Sequence, residues 1–223
     1  MNLLKESIKN NWLLFKLAEK GYYCFETLKS VVLKELVVRS ASKNVRIKKT
    51  SKGRNNVVLI GKNSYIDRVF IRIIGSDNKI IIGDNCRISH GCSFWIEGNG
   101  SVIRIGDDTS MNYNVHICAQ EDNMTIAVGK ECMFANNIII RTSDSHPIFN
   151  MESHVRINPP ASVNIGDRVW VAAKATIMKG VTISSDCVVG FAAVVTRDVP
   201  PNSLVAGVPA KVVKSNIYWG RTL

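Results

Sequence analysis

The sequence has no long uncharged hydrophobic run, and only 7% of its 223 residues are aromatic. Charged residues interrupt every apolar stretch between residues 12 and 38, so nothing approaches the ~18 uncharged residues that a membrane-spanning helix needs. No small-residue cleavage site follows a clean apolar stretch, which argues against a signal peptide. With 46% hydrophobic and 21% charged residues, the composition excludes disorder. We therefore expect a globular, cytoplasmic protein.

Acidic residues are also scarce, because 18 Asp and Glu stand against 29 Lys and Arg, which gives a formal net charge of +11. This balance favours a polyanionic partner, such as an anionic membrane, an acidic polysaccharide or a phosphate-rich cofactor. A generally solvated basic surface is the alternative. The sequence has no RNA-binding aromatic motif, Gly-rich phosphate loop or Gly-x-Ser-x-Gly elbow, and we expect no nucleic-acid partner.

Residues 1–50 predict a helical extension followed by a basic linker. Apolar residues recur at spacings of three and four between residues 3 and 38, and they include Leu14, Leu17, Leu28, Val31, Val32 and Leu36. We favour helices that dock onto the main domain or a neighbouring subunit. The alternative is that they lie on a membrane surface, which would make the protein peripheral to the inner membrane. The basic run from Arg46 to Arg54 predicts a solvated linker.

From about residue 57 onward, the apolar residues recur with a period of six. The positions at this spacing are Ile60, Ile66, Ile82, Ile88, Phe94, Ile105, Met111, Ile117, Val128, Phe134, Ile140, Ile165, Val171, Ile177, Ile183, Val189 and Val195. Glycine follows many of them, as at Gly61 and Gly83. Each hexad supplies one short strand and one corner, and three hexads complete a triangular coil. The sequence therefore predicts an all-β solenoid, a parallel β-helix of hexapeptide repeats in which each coil contacts only its neighbours.

A second inward stack of small residues is predicted four positions after the aliphatic residue of each hexad. It comprises Cys86, Cys92, Thr109, Val115, Cys132, Val169, Ala175, Val181, Cys187 and Ala193. Four of the six cysteines occupy this stack, which predicts buried, unreactive thiols rather than disulfides. Neither paired Cys-x-x-Cys motifs nor a His, Asp and Glu cluster with metal-ligand spacing occurs, so we expect no metal.

The early coils carry extra residues at one repeated place. Turn-forming clusters occupy residues 76–79, 97–100 and 121–123, and we expect them to stack along a single edge of the prism. The longest excursion, an active-site loop of about residues 141–160, falls at the same edge. A long excursion on a regular scaffold is the natural place for a functional site.

Three segments together resemble the hexapeptide-repeat acetyltransferases, and in particular the branch that O-acetylates bacterial capsules, including sialic-acid capsules, and lipopolysaccharide O-antigens. They are residues 142–148 (Thr-Ser-Asp-Ser-His-Pro-Ile), 165–171 (Ile-Gly-Asp-Arg-Val-Trp-Val) and 206–214 (Ala-Gly-Val-Pro-Ala-Lys-Val-Val-Lys). The resemblance covers about residues 57–221. It implies left-handed coiling and a homotrimer with active sites between adjacent prisms. We place the β-helix domain at residues 51–206 and a C-terminal tail at 207–223.

His146 is the candidate catalytic residue. Transfer of an acetyl group from a thioester to a hydroxyl is limited by the weak nucleophilicity of a neutral alcohol, so a base that takes the proton accelerates it. Histidine, with an ordinary pKa of ~6.5, suits this task. The family motif and the loop position agree on His146. Asp144 could orient the imidazole or cap a turn, and both interpretations stay open.

The resemblance also implies acetyl-CoA as the donor. Trp170 is expected to flank the thioester arm or the acceptor, with packing at a subunit interface as its alternative role. Small residues along one edge would let the pantetheine arm run close to the backbone, and they are Ala172, Ala173, Ala192 and Ala193. The family often has glycine where Ala172 stands. The residues expected near the coenzyme phosphates are Lys179, Thr196, Arg197, Lys211 and Lys214, of which Lys211 and Lys214 fit best.

These features predict an acetyl-CoA-dependent O-acetyltransferase. It would modify a hydroxyl of a cell-surface polysaccharide, namely a capsule, sialic-acid-type or O-antigen sugar, by direct transfer. The alternatives are an acetyltransferase for a small acceptor, such as a free sugar or an antibiotic, and a non-catalytic solenoid scaffold that binds an anionic polymer. His146, Trp170 and Lys211 favour the enzyme, because a scaffold needs none of them. The lack of metal-ligand spacing argues against a γ-class carbonic anhydrase.

Overall fold

The computed structural model describes residues 36–222, which form an all-β solenoid. The predicted N-terminal helices fall largely on residues 1–35, outside the described range. In chain order the strands are β1 (Leu36–Ser40), β2 (Val45–Lys52), β3 (Asn56–Ile60), β4 (Tyr65–Ile74), β5 (Lys79–Ile82), β6 (Arg87–Ile88), β7 (Ser93–Glu97), β8 (Val102–Ile105), β9 (Ser110–Met111), β10 (His116–Gln120), β11 (Thr125–Val128), β12 (Met133–Phe134), β13 (Ile139–Arg141), β14 (Val163–Ile165), β15 (Trp170–Val171), β16 (Thr176–Ile177), β17 (Thr182–Ile183), β18 (Val188–Val189), β19 (Val194–Val195), β20 (Ser203–Gly207) and β21 (Ala210–Ser215).

Parallel pairing between successive coils builds the three faces of a prism. The first face is the seven-stranded sheet β1-β3-β5-β8-β11-β14-β17. The long strand β4 turns a corner, because its start pairs with β6 and its end pairs with β7. The second face continues from β6 through β9, β12, β15 and β18 to β20, and the third face continues from β7 through β10, β13 and β16 to β19.

The predicted core is confirmed. Every aliphatic or aromatic residue of the six-residue series is buried, and so is every member of the small-residue stack. Stacked branched side chains fill the prism, and the parallel ladders satisfy the backbone between coils. The glycine after the aliphatic residue is explained by close approach, because a Cβ on Gly61 would lie 2.5 Å from the carbonyl carbon of Gly83 in the next coil.

The predicted turn clusters stack along the edge between the third and first faces. The backbone N–H of Ser76 donates to the side chain of Asn99 at 2.9 Å, and the backbone N–H of Asn99 donates to Asp122 at 2.8 Å. Each cluster therefore satisfies polar groups of the coil before it, so the extra residues extend the edge without breaking the ladders.

The predicted basic linker is wrong, because residues 45–52 form β2. This strand pairs in parallel with β4, and β1 pairs with β3, so the solenoid already includes strands that precede residue 51, where the sequence placed its start. The period did not reveal this first coil because Ser40 stands at the register position that Ile60 occupies in the next coil, so the aliphatic-Gly signature is absent. Leu36, Val38 and Ile47 still pack against the core.

The C-terminal segment that was predicted as a tail from residue 207 continues to pair with the solenoid. Strand β20 pairs in parallel with β18, and β21 then returns antiparallel to β20. Beyond β21, the indole N–H of Trp219 donates to the carbonyl of Arg168 at 2.7 Å, and the Arg221 guanidinium donates to the carbonyl of Cys132 at 3.0 Å. Residues 219–221 are thereby held against the second face.

Candidate active site

The long loop, residues 142–162, is anchored at its base by two buried hydroxyl residues. The Thr142 hydroxyl donates to the carbonyl of Gln120 at 2.9 Å and accepts from the Gln120 N–H at 2.9 Å. The Ser143 hydroxyl donates to the Glu121 carboxylate at 2.6 Å. At the far end, the Ala161 N–H donates to the Thr142 carbonyl at 2.9 Å, which closes the loop at its root.

Asn158, 8% exposed, is the organising residue within the loop. Its side-chain N–H groups donate to the Asp144 carboxylate and to the backbone carbonyl of His146, each at 2.9 Å. Its side-chain oxygen accepts from the Ile148 N–H at 2.6 Å. One amide therefore holds the carbonyl of His146 and contacts residues on both sides of it, so the position of this histidine is set by the loop and not by its own side chain.

Asp144 forms an ion pair with Lys179. The Lys179 ammonium donates to the Asp144 carboxylate at 2.5 Å and to the Asn158 carbonyl at 3.1 Å. The ammonium of Lys179 and the amide of Asn158 together lower the pKa of the Asp144 carboxyl. Lys179, predicted near the coenzyme phosphates, thus holds the loop in this chain, and the orienting role predicted for Asp144 towards His146 stays a prediction.

A second ion pair ties the loop to the stacked turns. The guanidinium of Arg156 donates two hydrogen bonds, of 2.6 and 2.7 Å, to the Glu121 carboxylate. This fork, together with the Ser143 hydroxyl, lowers the pKa of Glu121. The charge of Glu121 is therefore neutralised where the loop meets the prism edge.

His146 lies exposed at the wall of an open cleft of about 860 Å³. The cleft is also lined by Trp95 on β7, by Gln120 and Glu121 at the end of β10, and by Ser145 in the loop. Among the described residues, the imidazole makes no hydrogen bond. An accessible imidazole on a fixed backbone can accept a proton from a substrate hydroxyl that enters the cleft.

Trp170 lies elsewhere. It stands on β15 in the second face, with its ring 6.2 Å from that of Trp219. The His146 loop leaves the prism at the edge between the third and first faces, and in a triangular coil this edge is opposite the second face. One chain therefore does not bring Trp170 and His146 together.

The other predicted coenzyme residues fall into four groups. Ala172, Ala173 and Ala192 lie at the corner between the second and third faces, where the Ala192 N–H donates to the Ala173 carbonyl at 2.9 Å. The methyl group of Ala193 points into the core and is fully buried, so only its backbone could meet a ligand.

Thr196 and Arg197 follow β19 at the prism edge that carries the His146 loop, and both are exposed. Lys211 and Lys214 are exposed on β21, opposite Ala206 and Leu204 of β20. The contact of these four residues with a coenzyme stays a prediction.

Asn158, Glu121 and Arg156 were not identified from the sequence. They lie in the non-repeating loop and in an edge turn, where the period of six carries no information about orientation. The one available signal was the position of Glu121 in a turn cluster that aligns with the loop. Trp95 was also missed, because it stands at an outward position of β7 that neither inward series includes.

No protein-family model matches the sequence. A polysialic acid O-acetyltransferase of Neisseria meningitidis is 34% identical over 194 residues, which cover 78% of this chain and 90% of that protein. The polysialic acid O-acetyltransferase of Escherichia coli O1:K1 is 39% identical over 123 residues, but the match spans only 39% of that longer protein. The lipopolysaccharide O-acetyl transferase WbbJ of Escherichia coli K12, a putative assignment in its own name, is 31% identical over 150 residues, which cover 63% of this chain and 74% of that protein.

Solved structures agree with the fold. The polysialic acid O-acetyltransferase OatWY superposes with a TM-score of 0.71 at 34% identity, covering 86% of this chain and 87% of that chain. The polySia-specific acetyltransferase NeuO superposes with a TM-score of 0.54 at 30% identity, covering 84% and 90%. The solenoid is accordingly of the left-handed type. The extent of the Neisseria match and the shared architecture show that this chain belongs to the hexapeptide-repeat acetyltransferases.

Proposed function

We propose that the protein transfers an acetyl group from acetyl-CoA to a hydroxyl of a cell-surface polysaccharide of the polysialic acid class. The observation that carries this proposal is the 34% identity over 78% of the chain with the Neisseria enzyme, whose name states this activity. The exposed position of His146 at an open cleft supports it, because a polymer acceptor needs access from outside the prism.

In the proposed reaction, His146 acts as the general base in a direct transfer. The imidazole takes the proton of the acceptor hydroxyl as the oxygen attacks the thioester carbonyl. Collapse of the tetrahedral intermediate breaks the carbon–sulfur bond and expels the coenzyme thiolate. The imidazolium then returns its proton to the thiolate, so the products are an acetyl ester and free coenzyme A, and the enzyme is unchanged.

In the proposed reaction, the donor and the acceptor would occupy different coils of the third face. Its last strands, β16 and β19, present Thr176 and Val194 outward, between the edge with Ala172 and Ala192 and the edge with Thr196. Acetyl-CoA would lie along these last coils, with its phosphates near Lys211 and Lys214. The acceptor would enter the cleft on the preceding coils, so that the thioester and the hydroxyl meet at His146.

The separation of His146 and Trp170 supports a homotrimer, which we propose as the active form. A neighbouring prism could present its second face, with Trp170, to the loop edge of this chain. Light scattering should report about three times the 24.7 kDa chain mass. A monomer that is fully active would contradict this arrangement.

The described residues contain no helix long and apolar enough to cross a membrane. The cytoplasmic location and the contact of the N-terminal helices with the inner membrane stay predictions. Their test is fractionation of cells that express the full chain, with and without a high-salt wash.

The proposed function is tested by two measurements on the purified protein. Calorimetric titration with acetyl-CoA should show saturable binding, weakened by Lys211→Ala. Thiol release in the presence of acetyl-CoA should then be faster with polysialic acid than with neutral free sugars. Preference for a free sugar would favour the small-acceptor alternative, and no binding at millimolar acetyl-CoA would favour the scaffold.

A further inference from the structure

Three buried side-chain N–H groups have no hydrogen-bond partner among residues 36–222, and all three belong to one row on the third face. They are the Nε of Arg72, the Nε1 of Trp95 and the Nε of Arg141. Arg72 pairs with Trp95 in the register of β4 and β7, and Cys118 of β10 links Trp95 to Arg141 of β13. Buried donors are normally satisfied, so three unsatisfied donors in one row indicate a ligand that supplies acceptors.

Arg72 and Trp95 lie at the β4 end of this row. The guanidinium carbon of Arg72 lies 5.1 Å from the centroid of the Trp95 ring. Within the described residues, Arg72 has no carboxylate partner, whereas Arg156 and Arg168 are each paired with one. A half-buried guanidinium that is stacked on an indole and lacks an anion is suited to bind a carboxylate through its planar fork.

Arg141 joins the row to the cleft of His146. Its terminal nitrogen donates to the side chains of Gln120 at 3.2 Å and Ser145 at 2.9 Å, both of which line the cleft. Like Arg72, it forms no direct ion pair with a carboxylate among the described residues, and its charge contributes to the lowered pKa of Asp144. The row therefore runs from β4 to the residue next to the proposed catalytic histidine.

We infer that Arg72, Trp95 and Arg141 form the acceptor subsite and that it binds the carboxylated sugar units of an anionic polymer. The guanidinium groups would bind sugar carboxylates, and the indole would pack against the apolar face of a ring. The inference rests on the proposed function, because it names the acceptor side of the same cleft.

The dimensions of the row favour a polymer over a single sugar. Three inter-strand steps of about 4.8 Å separate β4 from β13, so the row spans about 14 Å, which is longer than one sugar ring. Of the acidic residues that line the cleft, Glu121 is paired with Arg156, whereas Asp122 accepts two hydrogen bonds from the uncharged Asn99. Glu97 and Asp122 lie at the rim of the cleft, and the guanidinium groups of Arg72 and Arg141 supply the positive charge of the row.

The test compares Arg72→Met and Trp95→Leu with the matched control Arg104→Met. Arg104 is an exposed arginine on β8 of the first face, away from the cleft. Direct binding of a sialic acid oligosaccharide is measured by calorimetry without acetyl-CoA, and the KM for polysialic acid is measured by thiol release. Light scattering and thermal melting of each variant check assembly and folding.

We expect Arg72→Met and Trp95→Leu each to raise the dissociation constant and the KM for the polymer by about tenfold. The turnover number, the KM for acetyl-CoA and the subunit mass should stay within about twofold of the wild type, as should all values of Arg104→Met. A polymer whose carboxyl groups have been reduced lacks the group that Arg72 would bind. It should therefore bind the wild type and Arg72→Met with the same low affinity.

Two results would overturn the subsite. The first is that the wild-type enzyme acetylates polysialic acid and both variants bind this polymer with the affinity of the wild type. The second is loss of the oligomer in either variant, which would assign the row to a subunit contact. A wild type that binds the oligosaccharide through these residues but transfers no acetyl group would instead contradict the proposed function and leave the subsite standing.

Discussion

The core of the prism and the loop of residues 142–162 are stabilised by different interactions. In the core, stacked branched side chains such as Ile117 and Ile140 are fully buried, and parallel ladders satisfy the backbone. In the loop, polar contacts predominate: Asn158 bridges Asp144 and the His146 carbonyl, and Arg156 grips Glu121. The core provides the free energy of folding, and the loop provides the position of one imidazole.

This difference predicts that the two regions respond differently to substitution. A change in the core should alter stability and leave the turnover of the folded fraction intact, because no core side chain reaches the cleft. A change in the loop should alter turnover with little effect on global unfolding, because loops can open without unfolding the elements that carry them.

The largest expected effect on stability is that of Phe134→Ala, because Phe134 is 1% exposed and lies in the middle of the stack. Removal of its ring should lower the free energy of unfolding by about 3–5 kcal/mol. Urea denaturation measures this loss. Met133→Ala, on the outward side of the same strand, should cost far less, and equal losses would contradict the assigned inward and outward positions.

The next largest effect is expected for Asn158→Ala. It removes the donors to Asp144 and to the His146 carbonyl, so we expect the turnover number to fall by about tenfold or more with a small change in the melting temperature. Steady-state kinetics and thermal melting measure the two quantities. Asn150→Ala, which removes only a turn contact to Glu152 and Ser153, is the matched control. A large stability loss in Asn158→Ala would show that loop and core are one unit.

A smaller effect concerns pH. The partners of Asp144 and Glu121 lower the pKa values of these carboxyls in the folded state. Their contribution to loop stability is therefore complete above the unfolded pKa values of about 4 and is lost as the pH falls through the lowered folded values. Limited digestion with pepsin should cut the loop only in strong acid and should leave the core intact.

Arg156→Met sharpens the pH comparison. Without the guanidinium, the loop should be cut at a higher pH than in the wild type, because Glu121 loses its main partner. An unchanged onset of cleavage would show that the ion pair does not hold the loop.

The smallest effect is expected for the core cysteines. Burial raises the pKa of the thiols of Cys86, Cys92 and Cys132 to about 11, so little thiolate exists at pH 8. Iodoacetamide should leave them unmodified in the native protein and should modify them in urea, as measured by mass spectrometry. Modification of the native protein at the rate of an exposed thiol would place them outside the core.

The period of six was enough to predict the core and the stacked turns, because each inward position repeats the same environment coil after coil. It was not enough for the first coil, where Ser40 replaces the aliphatic residue, or for the contacts of Asn158 and Arg156. Those contacts depend on the path of one loop that does not repeat. Lys179 illustrates the same limit, because its charge was visible in the sequence and its pairing with Asp144 was not.

The role of His146 as the general base is tested most directly by comparing His146→Asn with His154→Asn, an exchange at the other histidine of the same exposed loop. Thiol release with acetyl-CoA and polysialic acid gives turnover, and calorimetry gives the affinity for acetyl-CoA. We predict that His146→Asn lowers turnover by about 10²–10⁴-fold with unchanged affinity, whereas His154→Asn remains active. Substantial turnover in His146→Asn would contradict the assignment of His146 as the general base.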